Sequence, residues 1–298
     1  MFKIGSFFKV FLSYDDFVKR LNTKIKSGDD FYLNLLETII DNPARYSGIF
    51  RLSNAKTKLI QNVTQSREIK FGDFLEEIVT TYLGLLGCSN LDKEIGCDEN
   101  GDRLSADQVF MKDDAIFLVE QKVRDDHDST KKRGQFNNFI KKVLILQQKY
   151  PNKHLIASMW FIDDAIKKNR KYYQEEIDKC SYQNTELFLH YGSNFFKLFD
   201  DGNEVWKELS SHLIRYKLES SDEVLSVPDF GTSDEIYNAL LQLPEKYWKK
   251  LLSSKKPYVF LRKEIFSSGD NLIKAQKELG LEFVSVDQEL NYTINCDF

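Results

Sequence analysis

The tripeptide Glu120-Gln121-Lys122 closes the apolar run Ala115-Ile116-Phe117-Leu118-Val119. A strand over 115–123 alternates its side chains between two faces, so the carboxylate at 120 and the ammonium at 122 share one. Gln121 then points the other way, to a packing or hydrogen-bonding role. A further carboxylate, Asp107, lies in the run Leu104-Ser105-Ala106-Asp107-Gln108-Val109-Phe110-Met111. The polar Lys112-Asp113-Asp114 that follows reads as the turn of a hairpin joining the two strands. Two acids and one Lys on adjacent strands can hold a divalent cation and place a water beside it.

The elements that must position these groups follow from periodicity. The first 68 or so residues read as helical. Ser13-Tyr14-Asp15-Asp16 forms a capping box before Phe17, Leu21 and Ile25, and a second apolar stripe runs through Tyr32, Leu35, Leu36, Ile39 and Ile40 until Pro43. A helix is predicted over 69–86, with Phe71, Phe74, Leu75, Ile78, Val79 and Tyr82 on one face. Three strands follow, at 93–97, 104–111 and 115–123, with Asn100-Gly101 as the turn between the first two. A helix over 132–150 is stopped by Pro151. Then come a buried strand over 155–162, a charged helix over 163–179 and a strand over 186–191. A short helix through Phe195, Phe196 and Phe199 ends this part. Beyond Asp200 the pattern loosens into helices carrying Trp206 and Trp248, a strand over 257–263, a helix near 271–279 and a last strand over 281–286.

The Asp107…Glu120-x-Lys122 arrangement resembles the signature of the PD-(D/E)xK nuclease superfamily, and most of all its type II restriction endonucleases. The order helix, three-strand meander, helix, strand, helix, strand is similar to that superfamily's core over roughly 69–200. The resemblance implies an α/β fold: a restriction-endonuclease-like core of a mixed sheet flanked by helices. Helical N-terminal (1–68) and mixed C-terminal (201–298) regions elaborate it, the latter for DNA recognition or dimerisation. It implies a Mg²⁺-dependent, sequence-specific endodeoxyribonuclease acting on double-stranded DNA. Asp107 and Glu120 would be metal ligands, with Lys122 orienting the attacking water or stabilising charge on the phosphate. It also implies a restriction-modification system whose cognate DNA methyltransferase is a functional partner without direct binding. The family's Pro before the first acid is Ala106 here, and Asp102 is a weaker candidate for that acid's role. A Glu on the preceding helix often completes the site in the family. Glu76 fits that place, with Glu77 as runner-up.

Charge points the same way. The net charge is -4 over 298 residues, which argues against indiscriminate coating of nucleic acid. Yet the stretch from Ser129 to Ile162 holds no Asp or Glu. It carries Lys131, Lys132, Arg133, Lys141, Lys142, Lys149 and Lys153, a stripe able to neutralise phosphates. Within it Lys131, Lys132 and Arg133 can grip the backbone near a helix start, and Gln135, Asn137 and Asn138 can read adenine edges. His127, in Arg124-Asp125-Asp126-His127-Asp128, could serve as a base and its neighbouring acids as a second cation site. A polar loop is the simpler reading, because no spacing supports either role.

The bulk properties set bounds. Hydrophobic residues make up 42% of the chain and charged residues 30%, so a substantial core can form. The length suits two domains or one elaborated core. No run approaches the roughly 18 apolar residues that span a membrane, and the first residues are too interrupted for a secretion signal. A cytoplasmic protein without membrane partners is expected. Cys88, Cys97, Cys180 and Cys296 lack metal-ligand spacing and read as reduced thiols. The Asn62-Val63-Thr64 and Asn291-Tyr292-Thr293 triplets then carry no glycan. One constellation without an internal repeat suggests a homodimer on a two-fold DNA site. The alternatives are a repair or recombination nuclease of the same superfamily acting on structured DNA, and a DNA-binding module with an inactive site.

Overall fold

The computed structural model describes residues 9–25, 30–47, 52–219 and 228–281. Cys296, the Asn291 triplet, the first eight residues and all but Leu281 of the strand expected over 281–286 lie outside them. The chain divides into two compact units, one of residues 1–20 and 72–219, the other of 21–71 and 220–298.

The helices bounding the N-terminal part are α1 (Tyr14–Ile25), α2 (Asp30–Asp41), α3 (Ala44–Ser47) and α4 (Ala55–Leu85). Ser13 caps α1, its hydroxyl accepting from the Asp16 N–H at 3.2 Å. The helix predicted to begin near 69 instead begins at Ala55. Asn54 caps that start by accepting from the Thr57 N–H at 2.8 Å, and no Gly or Pro interrupts the stretch before Gly72.

The first unit is built on strands β1 (Ser89–Asn90), β2 (Glu94–Cys97), β3 (Arg103–Ser105), β4 (Gln108–Lys112), β5 (Ala115–Lys122), β6 (His154–Phe161) and β7 (Thr185–Tyr191). Five of them form a mixed sheet in the order β1-β4-β5-β6-β7. The β4–β5 pair is antiparallel, while β5–β6 and β6–β7 are parallel. The β4–β5 hairpin closes at the pair Lys112↔Ala115. Asp113 and Asp114 between them both take left-handed backbone, with φ of 49° and 68°. Asp tolerates that conformation, and the tight hairpin turn demands it at both central positions.

The single strand expected over 104–111 is two strands. β3 pairs with β2 in a separate two-stranded sheet, whereas β4 joins the main one. The chain parts at Ala106–Asp107, where the Ala106 N–H donates to the Lys93 carbonyl at 2.9 Å. The β4–β5 ladder starts one residue later, at Gln108↔Val119.

Helix α5 (Ser129–Lys149) covers one face of the sheet through Phe136, Phe139, Val143 and Leu146, which are packed with Ile116, Leu118, Leu155, Ala157 and Met159. Asp128 starts it by accepting from the N–H groups of Thr130 and Lys131 at 2.9 and 2.8 Å. The charged helix expected over 163–179 is shorter, α6 (Arg170–Asp178). Asp163 turns the chain first, its carboxylate accepting the Ala165 N–H at 2.9 Å. Two short 3₁₀ turns, Gly192–Asn194 and Phe196–Leu198, follow β7 in place of one short helix. They bring Phe195 onto Trp160, with ring centroids 4.5 Å apart. The buried Trp160 indole N–H is satisfied by the Gly192 carbonyl at 2.9 Å. Helix α7 (Gly202–Glu219) completes the unit.

The second unit is helical throughout its described residues. Its helices α8 (Asp234–Gln242), α9 (Glu245–Leu251), α10 (Lys256–Ile265) and α11 (Asn271–Glu278) share a core with α2, made of Leu36, Ile39, Ile40, Leu240, Trp248 and Leu261 among others. The strand predicted over 257–263 is α10. Pro257 sits in its first turn, where the missing N–H costs nothing. Leu261 and Ile265, four apart, are both buried.

Candidate active site

Strand alternation sets Ile116, Leu118, Glu120 and Lys122 on the α5 side of β5. The first two pack into the apolar cluster, and the last two continue the row past its end. Asp107, leaving the ladder one residue before β4, turns its carboxylate to the same place. Its Oδ2 accepts from the Gln121 backbone N–H at 2.7 Å and from the Lys122 ammonium at 2.9 Å. Lys122 Nζ also donates to Glu120 Oε1 at 2.7 Å. The structure therefore gathers Asp107, Glu120 and Lys122 around one ammonium. Burial works to lower the Lys122 pKa, but the charges of Glu120 and Asp107 outweigh it and hold the ammonium above its usual range.

A further lysine enters from α5. Lys142 is 4% exposed and donates from Nζ to Glu120 Oε2 at 2.5 Å. Glu120, itself 5% exposed, is thus held at each oxygen by a different ammonium. This corrects the placement of Lys142 in a phosphate-binding stripe. It follows Phe139 by three residues and precedes Leu146 by four, so it belongs to the buried stripe of α5. Other members of the charged stretch also have protein partners. Lys141 pairs with Asp98 at 2.9 Å, and Lys153 pairs with Asp114.

The Glu76 carboxylate is not brought to the trio. It accepts from Lys93 at 2.6 Å, whose own carbonyl anchors Ala106. The Glu76 backbone carbonyl accepts from Gln108 Nε2 at 2.7 Å, and Thr80 of α4 donates to Gln108 Oε1 at the same distance. Gln108 is 1% exposed, so this network fixes the start of β4, next to Asp107, against α4. The Gln121 side chain lies on that opposite face, 3.4 Å from Gln108. Glu77 lies 3.9 Å from Arg20. Asp102 sits at the β2–β3 turn, its carbonyl accepting from the Asp98 N–H.

The segment after Lys122 is a built loop. Asp125 is fully buried and accepts from the Asn169 N–H at 2.8 Å, Asn169 Nδ2 at 2.9 Å and the Tyr191 hydroxyl at 2.8 Å. Burial, reinforced by that carboxylate, pushes the Tyr191 hydroxyl far up. His127 is lowered by burial first and by the Lys131 charge next, which favours neutral imidazole. Sequence reasoning missed the buried role of Asp125, since the acids of the loop look alike until Asn169 and Tyr191 fold onto one of them.

On α5, Lys131, Arg133 and Asn137 are exposed, and Asn138 is half-buried. Lys132 lies over the Tyr172 ring at 4.4 Å. Gln135 accepts from the Tyr173 hydroxyl at 2.9 Å, which engages one end of its amide inside the protein.

Asp107 and Glu120 offer hard oxygen donors that already converge on one cation, the Lys122 ammonium, and this suits a divalent metal such as Mg²⁺. Among the described residues, no group of three or more His, Cys, Asp or Glu side chains is gathered for a metal. Solvent, phosphate or another ligand would have to complete the shell. Cys88, Cys97 and Cys180 are free thiols. No helix among the described residues is long and apolar enough to cross a membrane.

Among curated proteins, none matches the chain. A family model described as type II restriction endonuclease, HinfI, matches residues 13–108 and 90–217, which takes in the whole sheet, α5 and every site residue named above. The chain belongs to the HinfI family of type II restriction endonucleases, site-specific deoxyribonucleases that hydrolyse phosphodiester bonds.

Proposed function

We propose that Asp107, Glu120 and Lys122 form the cutting site, and that the chain cleaves double-stranded DNA at a specific sequence with Mg²⁺. The convergence of both carboxylates on the Lys122 ammonium supports this reading most directly. Asp107 and Glu120 would hold the metal. A divalent cation bound there would supply polarisation of the phosphate and a lowered pKa for a water at the site. Lys122, kept as an ammonium, donates to a phosphate oxygen as negative charge grows on it or orients the attacking water. The Gln121 N–H keeps Asp107 in place throughout. Glu76 has a supporting part, acting on the site through Lys93 and Gln108.

We place the enzyme in a restriction-modification system with a cognate methyltransferase, in the cytoplasm, and as a homodimer on a two-fold site. A dimer brings one cutting site to each strand. The experiment is digestion of DNA of known sequence in Mg²⁺ and in EDTA, with the ends sequenced. Discrete ends at one short symmetric sequence, cut on both strands and only with metal, are expected. Ends scattered over all sequences or confined to junctions would favour a structure-specific nuclease, and no cutting would favour a binding module.

The α5 N-terminus supplies backbone contacts in this reading. Replacing Lys131, Lys132 and Arg133 together with Ala is expected to weaken cognate and non-cognate binding alike. The log-log salt slope should flatten by about one unit per lost phosphate contact. Binding isotherms over a salt series check this, and a loss confined to cognate DNA would make these residues base readers instead. Gln135, Asn137 and Asn138 follow on the same helix as the adenine-reading set, with Gln135 restrained by Tyr173.

A further inference from the structure

Lys142 is a charged side chain in an apolar helix stripe, flanked by Phe139, Val143 and Leu146, and its ammonium is spent on one atom, Glu120 Oε2. A buried ion pair of this kind is weak evidence for stability, because desolvating both groups offsets their attraction. Its effect on the site is specific. Glu120 Oε2 is engaged from the helix side, and Oε1 alone is turned toward Lys122 and Asp107. Two carboxylates facing two ammonium groups also leave the cluster without net charge.

We infer that Lys142 is a positioning residue that makes Glu120 a one-oxygen ligand and, by balancing its charge, sets which divalent cation the site accepts and how tightly. The inference rests on the reading of Asp107 and Glu120 as the cation site. Mg²⁺ demands near-octahedral, one-oxygen carboxylate ligation. Ca²⁺ takes six to eight oxygens and accepts both from one carboxylate. Holding back Oε2 therefore disfavours Ca²⁺ relative to Mg²⁺. Removing the ammonium would free that oxygen and add net negative charge at once.

The test is calorimetric titration of the intact protein with CaCl₂ and with MgCl₂, for wild type, Lys142→Met, Lys142→Arg and Lys122→Ala, with circular dichroism to confirm folding. Lys142→Met is expected to bind Ca²⁺ at least about tenfold more tightly than wild type and to gain less for Mg²⁺, so that the Ca²⁺/Mg²⁺ preference shifts. Lys142→Arg keeps charge and donor and should stay within about threefold of wild type for both ions. Lys122→Ala removes an ammonium without freeing Oε2, and should tighten both ions without changing the preference. A folded Lys142→Met protein with unchanged preference, beside a Lys122→Ala protein that tightens, would overturn the role of Lys142 while leaving the cation site standing. No change in either variant would overturn the cation site itself. Loss of the fold in both Lys142 variants would reduce Lys142 to a structural ion-pair partner and overturn the inference.

Discussion

Glu120→Ala is expected to abolish cleavage and to destabilise the protein together. The catalytic loss follows from removing a carboxylate proposed to hold the metal and should reach at least about 100-fold, the scale of losing one group that stabilises transition-state charge. The loss of stability follows from Lys142. With Glu120 gone, its amino group is left 4% exposed without the carboxylate that holds it. Breaking one side of a buried ion pair costs about 3–5 kcal/mol, a drop of roughly 10 °C in Tm for a chain of this size. Glu120→Gln separates the two effects. Its amide oxygen can still accept from Lys142 while its NH2 group faces Lys122 and the counter-charge is gone, so part of the stability should return while cutting does not. Thermal melts and cleavage assays on the pair of variants check both. An Ala variant that melts with wild type would mean that the Lys142 pair contributes nothing to the fold.

That double effect also shows where sequence reasoning stops. The Asp107, Glu120, Lys122 trio was legible because each link is local. Alternation on one strand aligns 120 with 122, and a turn of two left-handed Asp residues returns the chain beside Asp107. Lys142 lies 22 residues away on a helix, and charge alone sorted it with the solvent-facing lysines. Its place between Phe139 and Leu146 was the available signal, since a helical wheel puts it in the apolar stripe. The break between β3 and β4 was not legible. Nothing in the composition of Leu104–Met111 marks it, and it exists because Asp107 gives its carboxylate to the Gln121 N–H next to the first ladder pair. Residues 257–263 illustrate the ambiguity of a short apolar run. Tyr258, Val259 and Phe260 favour a strand by type, but burial of Leu261 and Ile265 on one side against the helical core makes α10 a helix.

The second large effect belongs to Lys122. Its side chain is 25% exposed, and its removal leaves Asp107 on the Gln121 N–H and Glu120 on Lys142. Lys122→Ala should therefore fold, melt close to wild type and bind DNA. What it loses is the ammonium facing both carboxylates, and with it the donor proposed to act on the phosphate. The deciding measurement is the single-turnover cleavage rate of this variant in Mg²⁺, at DNA concentrations where a gel shift shows it fully bound. A fall of at least about 100-fold with binding intact is the expected result. A Lys122→Ala protein that cuts at the wild-type rate would contradict the assignment of Asp107, Glu120 and Lys122 as the cutting site.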